Sequence, residues 1–122
     1  MKGAARKTPD FRVPLSEEAK RIITIARTRT PNDVIFANHK GNILSDAAMS
    51  GIMKKAGIEA RPHGFRSTLR TWIAETENVN LEVAEMVLAH RPASKVVRAY
   101  ERTDFLDQRR EIMGKWAAYL LG

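Results

Sequence analysis

The sequence contains no cysteine and no long apolar run among its 122 residues. The first absence excludes a disulfide framework, a cysteine-based zinc site and thiol catalysis, and it makes a reducing cytosol the natural setting. The second absence predicts no membrane-spanning segment, and the polar start of the chain predicts no signal peptide. With 43% hydrophobic and 29% charged residues, the composition is that of one globular domain and not of a disordered segment.

The charge, in contrast, is large and unevenly distributed. The chain has 21 Lys and Arg against 14 Asp and Glu, a net charge of +7. Residues 1–33 and 34–70 carry +4 each and residues 71–122 carry −1, so the basic surface belongs to the first 70 residues. Thirteen of the cations are Arg, whose planar fork binds phosphate with two hydrogen bonds. This composition favours a polyanionic partner, nucleic acid first, with a merely soluble basic protein as an equal alternative.

Hydrophobic periodicity predicts a mainly α-helical domain with a small β element near its N-terminus. Alternating apolar residues predict a short strand at about 11–15, and an apolar run predicts a second at about 34–37. Amphipathic patterns predict helices over about 17–28, 46–56, 64–76, 81–89, 95–101 and 105–121. The residues expected at the helix ends are Ser16, Ser45, Asn80, Ser94 and Asp104 as N-caps, and Gly57 after the second helix.

Four residues of chemical interest occur in order along the second half of the chain. His63 and Arg66 lie three residues apart near a predicted helix start, so they share one helix face. His90 follows, and Tyr100 comes ten residues later. Each residue alone is more often structural than functional. Together they suggest phosphoryl transfer, in which Arg stabilises charge on phosphate oxygens, His moves a proton and a phenolic oxygen attacks phosphorus.

The same residues resemble the tyrosine recombinases, or phage integrases, in the C-terminal part of their catalytic domain. The family's His-x-x-Arg box is similar to His63–Arg66, its Leu-Gly-His or Leu-Ala-His motif to the one that ends at His90, and its nucleophile to Tyr100. Flanking segments also resemble the prophage-integrase branch, namely VPLS, HGFRST, QRR and W-A-YL. The resemblance runs over nearly the whole chain.

The resemblance implies the DNA breaking-rejoining catalytic fold, incomplete at its N-terminus, and DNA strand cleavage through a 3′-phosphotyrosine intermediate. Tyr100 is then the nucleophile, Arg66 binds the scissile phosphate, His63 assists proton transfer and His90 hydrogen-bonds the phosphate. A 5′-hydroxyl of another strand later attacks the covalent link. Because the link stores the phosphodiester energy, no metal and no cofactor is implied. The implied function is site-specific DNA recombination, as in prophage integration and excision.

A hairpin lysine that protonates the leaving 5′-oxygen is also implied, and two residues match it. Lys2 has the branch's Met-Lys-Gly context but lies eleven residues before Val13, whereas Lys7 has the more common spacing of six residues. We favour Lys2 as the catalytic lysine, with Lys7 as the open alternative; either one alone is also explained as a surface lysine on backbone phosphate. The residues expected to contact DNA are Lys7, Lys40, Arg61, Arg70 and Arg91.

The family's first catalytic Arg and its N-terminal DNA-clamping domain find no match in this sequence. We therefore expect residues 1–122 to form the C-terminal portion of a catalytic domain and to be inactive alone. The expected parts are a residual β-hairpin at about 1–15, a helical catalytic core at about 16–102 and a C-terminal helix at about 104–121.

The implied partner is double-stranded DNA that carries attachment sites, in the bacterial cytoplasm at the nucleoid. The full-length protein is expected to be tetrameric on DNA and this chain alone monomeric. Two alternatives stay open: a basic DNA-binding module without catalysis, and a helical domain that self-associates through its last helix. The apolar stripe of that helix either folds back on its own domain or docks on a neighbouring protomer.

Overall fold

The computed structural model describes residues 10–30, 32–90 and 103–122. These residues form helices and almost no β-structure, which confirms the mainly helical fold class. Within the described ranges no helix combines the length and apolar character needed to cross a membrane. The helix predicted at 95–101 lies outside them. The described helices are α1 (Glu17–Arg27), α2 (Ala48–Lys55), α3 (Gly64–Thr76), α4 (Leu81–Val87) and α5 (Leu106–Leu121).

The sequence predicts a helix start best where a side chain caps it. The hydroxyl of Ser16 accepts a hydrogen bond from the N–H of Ala19 at 3.2 Å, and α1 begins at the next residue, as predicted. The span of α3 is also the predicted one. α2 begins two residues later than predicted, because residues 46–47 form a turn in which the N–H of Ala48 bonds to the carbonyl of Ser45 at 3.0 Å.

Neither predicted strand forms within the described residues. Residues 10–15 form no strand, since the carbonyl of Arg12 is bound by the side chain of Arg109 and not by a neighbouring strand. Residues 34–37 contribute only a single antiparallel bridge, from Ala37 to Ile43. The side chain of Asn38 accepts hydrogen bonds from the N–H groups of Lys40 and Asn42. These bonds hold a tight turn between the two bridged residues. The hairpin expected at about 1–15 lies mostly outside the described residues and stays a prediction.

The hydrophobic core lies where α3, α4 and α5 meet. Its buried residues come from all three helices and are Trp72, Ile73, Val83, Ala84 and Ile112. Trp116 of α5 packs on Trp72 with ring centroids 5.2 Å apart, so this part of α5 folds back on the domain's own core. Neither α1 nor α2 contains a fully buried residue. The start of α3, which carries Arg66, and the turn after α4, which carries His90, are therefore next to the best-packed part of the described chain.

A buried arginine joins the first described residues to the start of α5. The side chain of Arg109 is 1% exposed, its guanidinium carbon lies 4.5 Å from the ring centroid of Phe11, and it donates to the carbonyls of Arg12 and Asp104. Burial lowers the pKa of Arg109 because it disfavours the charged form, and the charge of Asp104 acts in the opposite direction. Arg12 also binds the Asp104 carboxylate with two hydrogen bonds of 2.9 Å. The first described residues and the start of α5 are thus held together by charged groups.

The ion pair of Arg12 with Asp104 predicts a pH-dependent contribution to stability. Burial acts to raise the pKa of Asp104, but the hydrogen bonds and charge of Arg12, together with the backbone N–H of Leu106 and the charge of Arg109, outweigh it and hold that pKa below its usual range. A carboxylate with a depressed folded-state pKa stabilises the fold above its unfolded-state pKa, and this contribution is lost as the pH falls through the folded-state value. We expect Asp104→Asn to lower the melting temperature at neutral pH, and the difference from wild type to shrink as the solution is acidified.

Thermal melting over a series of buffers measures this difference. The matched control is Asp33→Asn, which neutralises an exposed loop carboxylate and should shift the melting temperature little at any pH. A deficit of Asp104→Asn that stays constant from neutral to acidic pH would contradict the ion-pair explanation.

α2 and α4 both end in a Schellman motif, but the residue in the left-handed position is Gly57 after α2 and Ala89 after α4. After α4, the N–H of Ala89 bonds to the carbonyl of Met86 at 3.0 Å and the N–H of His90 bonds to that of Glu85 at 3.0 Å, which is a Schellman motif. Ala89 has a φ of 57°, in the left-handed region that costs free energy for a residue with a Cβ. Gly57 holds the equivalent position after α2 with a φ of 71°, as predicted.

We expect Ala89→Gly to stabilise the chain by about 0.5–1 kcal/mol, because glycine removes the left-handed strain but loses more backbone entropy on folding. Gly57→Ala is the reciprocal change and should destabilise by about 1 kcal/mol. Nothing lies within 4 Å of a Cβ added at Gly57, so its cost is one of backbone conformation alone. Urea unfolding measures both free energies, and shifts of the same sign in the two variants would contradict this account.

Candidate active site

Arg66 and His90 are in contact although 24 residues separate them in sequence. Nη2 of Arg66 lies 2.8 Å from Nε2 of His90, and the same nitrogen donates to the carbonyl of Leu88 at 2.7 Å. Arg66 stands in the first turn of α3 and His90 follows the Schellman motif after α4, so the packing of these helices creates the contact. The side chain of His90 is 51% exposed and that of Arg66 is also exposed, which leaves both accessible to a ligand.

Glu85 extends this pair into a network of four side chains. One carboxylate oxygen lies 2.7 Å from Nδ1 of His90, and the other accepts a hydrogen bond from Nε of Arg70 at 2.8 Å. The hydrogen bond from Arg70, and next that from His90, hold the pKa of Glu85 below its usual range against the smaller opposing effect of burial. The carboxylate is therefore ionised at neutral pH, and the order of contacts is Arg66, His90, Glu85, Arg70.

His63 occupies the N-cap position of α3, one turn before Arg66. Its carbonyl accepts a hydrogen bond from the N–H of Arg66 at 3.2 Å. The imidazole is exposed and has no hydrogen-bond partner among the described residues. His63 and Arg66 thus both lie at the N-terminal end of α3, while the shared face and the catalytic role of His63 stay predictions.

Three of the residues predicted to contact DNA lie in the described ranges, and they differ in whether their side chains already bind other groups of the protein. Lys40 is exposed in the turn between the bridged residues Ala37 and Ile43. Arg61 folds back, and its Nη1 donates to the carbonyls of residues 58–60 at 2.6 to 2.9 Å, which shapes the loop that leads into α3. Arg70 is committed to Glu85 and is partly buried. The sequence did not indicate either of these internal roles, and contact with DNA stays a prediction for all three residues.

Four predicted site residues lie outside the described residues: Tyr100, Lys2, Lys7 and Arg91. Among the residues that the structure does describe, no group of three or more His, Asp or Glu side chains is placed to hold a metal ion. The described part of the site thus consists of two arginines, two histidines and a carboxylate.

Glu85 is the site residue that the sequence analysis missed. Its position offered a signal, because an acidic residue five positions before a histidine reaches that histidine when the intervening helix ends in a Schellman motif. Two features concealed that signal: the helix was predicted to continue to about residue 89, and the position of the left-handed residue was occupied by Ala and not by Gly. A rule that expects glycine just after a helix therefore misses the end of α4, where the residue is Ala89.

Comparison with known proteins identifies the family of the chain. The chain matches the phage integrase family over residues 1–106. A match over that share of the sequence shows membership, and the chain belongs to the phage integrase family.

Individual relatives carry the same family name. The chain is 33% identical over 113 residues to Prophage integrase IntA of Escherichia coli strain K12, and 31% identical over 114 residues to Prophage integrase IntS of the same strain. It is also 31% identical over 114 residues to the Integrase of Shigella phage Sf6. Each alignment covers 88% of this chain but only 27% to 29% of the relative, so the chain spans less than a third of their length. No solved structure matches it.

Proposed function

We propose that this chain is the C-terminal part of the catalytic domain of a site-specific DNA recombinase that integrates or excises a prophage. In this proposal it breaks one DNA strand through a covalent link between Tyr100 and a 3′-phosphate. Family membership and the integrase relatives support the general activity. The contact of Arg66 with His90 at the surface of the best-packed part of the described residues is the observation that supports it best.

This contact suits the recognition of a phosphodiester. A guanidinium presents several fixed N–H donors, and it stabilises the negative charge that grows on the equatorial oxygens of the transition state. A phosphate oxygen that replaces the carbonyl of Leu88 as the acceptor from Nη2 would lie beside His90. The two side chains would then bind one phosphate from the start of α3 and from the turn after α4, which a lone surface arginine does not do.

The proposed reaction needs a nucleophile and a proton donor beside this pair. The phenolic oxygen of Tyr100 attacks phosphorus, its proton passes to a base for which His63 is the candidate, and the bond from phosphorus to the 5′-oxygen breaks. The leaving 5′-oxygen takes a proton from a lysine, Lys2 or alternatively Lys7. Later attack of a 5′-hydroxyl on the phosphotyrosine reverses these steps and frees Tyr100.

DNA binding and assembly belong to the same proposal. Positive charge in residues 1–70 would bind the phosphate backbone, so affinity should fall as salt rises. The end of α5 has large exposed apolar residues, Leu120 at 62% and Leu121 at 66%, which favours contact with another subunit in a tetramer on DNA. In the same proposal this chain alone is a monomer with little activity, and it works in the cytoplasm on nucleoid DNA.

The test is a nicked suicide substrate that carries the parent element's attachment site. Cleavage near the nick releases a short DNA strand, so a covalent protein–DNA adduct accumulates and is seen as a shifted band under denaturing conditions. The assay is run on this chain alone and on the chain extended upstream by its own gene. An adduct with the extended protein is the expected result. Salt-sensitive binding with no adduct in either form would favour the alternative of a DNA-binding module without catalysis.

A further inference from the structure

Glu85 contacts His90 through both the backbone and the side chain. The N–H of His90 bonds to the carbonyl of Glu85 at 3.0 Å, and Nδ1 of the imidazole lies 2.7 Å from the Glu85 carboxylate. The backbone hydrogen bond fixes the position of the His90 backbone, and the side-chain contact fixes the orientation of the imidazole ring. Both arise because Ala89 adopts its left-handed conformation and folds residue 90 back over the end of α4.

The two contacts of the His90 ring are compatible with a single arrangement of protons. The ionised carboxylate of Glu85 only accepts hydrogen bonds, and the guanidinium of Arg66 only donates them. Nδ1 must therefore carry a proton and donate to Glu85, while Nε2 carries none and accepts from Arg66. Nε2 is thus the nitrogen that faces the phosphate-binding side of the site.

Arg70 holds the second oxygen of the same carboxylate. Its Nε donates at 2.8 Å, and the Arg70 side chain is 30% exposed against 36% for Glu85. With one oxygen bound by Arg70 and the other by His90, the carboxylate cannot turn without losing a charge-assisted hydrogen bond. Arg70 and Arg66 lie one turn apart on α3, so one helix supplies the cations at both ends of the network.

We infer that Glu85, held by Arg70, is a positioning residue that fixes the orientation and the proton arrangement of His90 beside Arg66. This inference rests on the proposed function for its catalytic meaning: a phosphate oxygen only accepts hydrogen bonds, so His90 donates to the scissile phosphate only when Nε2 also carries a proton, and Glu85 keeps that nitrogen turned toward the phosphate. The arrangement itself is a property of this chain without DNA. Glu85 touches neither DNA nor the reacting atoms, and it acts through His90 alone.

Nuclear magnetic resonance of the ¹⁵N-labelled chain tests the arrangement directly. Two-bond correlations between ring nitrogens and ring protons show which nitrogen of each histidine carries the proton, and His90→Asn identifies the signals of residue 90. In the wild type at a pH where the ring is neutral, we expect His90 to have its proton on Nδ1. In Glu85→Ala we expect the proton to move largely to Nε2, since the acceptor at Nδ1 is gone and Arg66 keeps the carbonyl of Leu88 as its acceptor.

Two further variants separate positioning from general destabilisation. Glu85→Gln keeps an oxygen acceptor without the charge, so we expect it to restore the Nδ1 proton in part. Glu82→Ala removes an exposed carboxylate from the same helix and should leave the His90 spectrum unchanged. A Glu85→Ala chain that melts at a lower temperature but keeps the wild-type proton arrangement would overturn the inference and leave Glu85 with a structural role only.

The catalytic consequence is measured with the extended protein and the suicide substrate. We expect Glu85→Ala to slow adduct formation by about tenfold to a hundredfold at saturating DNA, as for other residues that orient a functional histidine. Glu85→Gln should recover part of the rate, and Arg70→Ala should show a smaller loss in the same direction. If the wild type forms no adduct the proposed function fails, whereas an unaltered His90 spectrum in Glu85→Ala removes the inference and leaves the proposed function standing.

Discussion

Tyr100→Phe is expected to abolish the covalent protein–DNA adduct completely in the suicide-substrate assay, without a comparable loss of DNA binding. The phenolic oxygen is the atom that forms the new bond to phosphorus, and phenylalanine offers no nucleophile in its place. Binding depends on many phosphate contacts, so the loss of one neutral hydroxyl changes it little. Denaturing gels measure the adduct, and mobility shifts at the same salt concentration measure binding.

Tyr119→Phe is the matched control, because the chain has only two tyrosines. The ring of Tyr119 stacks on that of Trp116 with centroids 5.5 Å apart and also lies 5.8 Å from that of Trp72, so its role is one of packing. Phenylalanine preserves those ring contacts, and adduct formation should continue at the wild-type rate. An adduct that persists in Tyr100→Phe and vanishes in Tyr119→Phe would transfer the nucleophile assignment to the last helix.

Arg66→Ala is expected to slow strand cleavage by about 10³-fold or more while weakening DNA binding by less than about tenfold. The guanidinium stabilises charge that develops only in the transition state, so its removal affects the chemical step far more than the encounter with DNA. Single-turnover rates of adduct formation at saturating DNA measure the first effect, and salt-controlled titrations measure the second.

Lys40→Ala is the companion variant for this prediction. Lys40 is an exposed cation that is predicted to contact backbone phosphate and lies outside the network around Arg66. Its loss should weaken binding modestly and reduce the salt dependence of affinity, with an unchanged rate once the DNA is bound. Equal losses of binding and of cleavage in Arg66→Ala would instead identify Arg66 as an ordinary DNA contact.

The sequence predicted the helices because their signals are local. The cap at Ser16 and the apolar spacing of α3 depend on residues within one or two helical turns, and both predictions are confirmed. The strands failed for the opposite reason, since a strand exists only if a distant segment pairs with it. The carbonyl of Arg12 is instead bound by Arg109, a partner 97 residues away that alternating hydrophobicity does not reveal.

The site also contains residues that local sequence indicates and contacts that only the tertiary fold creates. Motif spacing together with the family resemblance singled out Arg66 and His90, and the structure brings these two side chains into contact. The network beyond them was not predictable, because it depends on the left-handed conformation of Ala89 and on the packing of α3 against α4. Arg70 is an example. The sequence suggested only a cation that contacts DNA, whereas in the fold its side chain binds Glu85.

The uneven packing of the described chain also determines the order in which its parts open. Apart from Pro14, the buried apolar residues of that part lie between Trp72 and Ile112, whereas α1 and α2 bury none completely. Segments with few buried contacts open locally at low free energy, and the best-packed segments open only when the whole domain unfolds. α3, α4 and α5 therefore form the last cooperative unit to open. Arg66 and Glu85 lie in this unit, and His90 follows α4 directly. We therefore expect the three side chains to keep their relative positions when α1 or α2 opens locally.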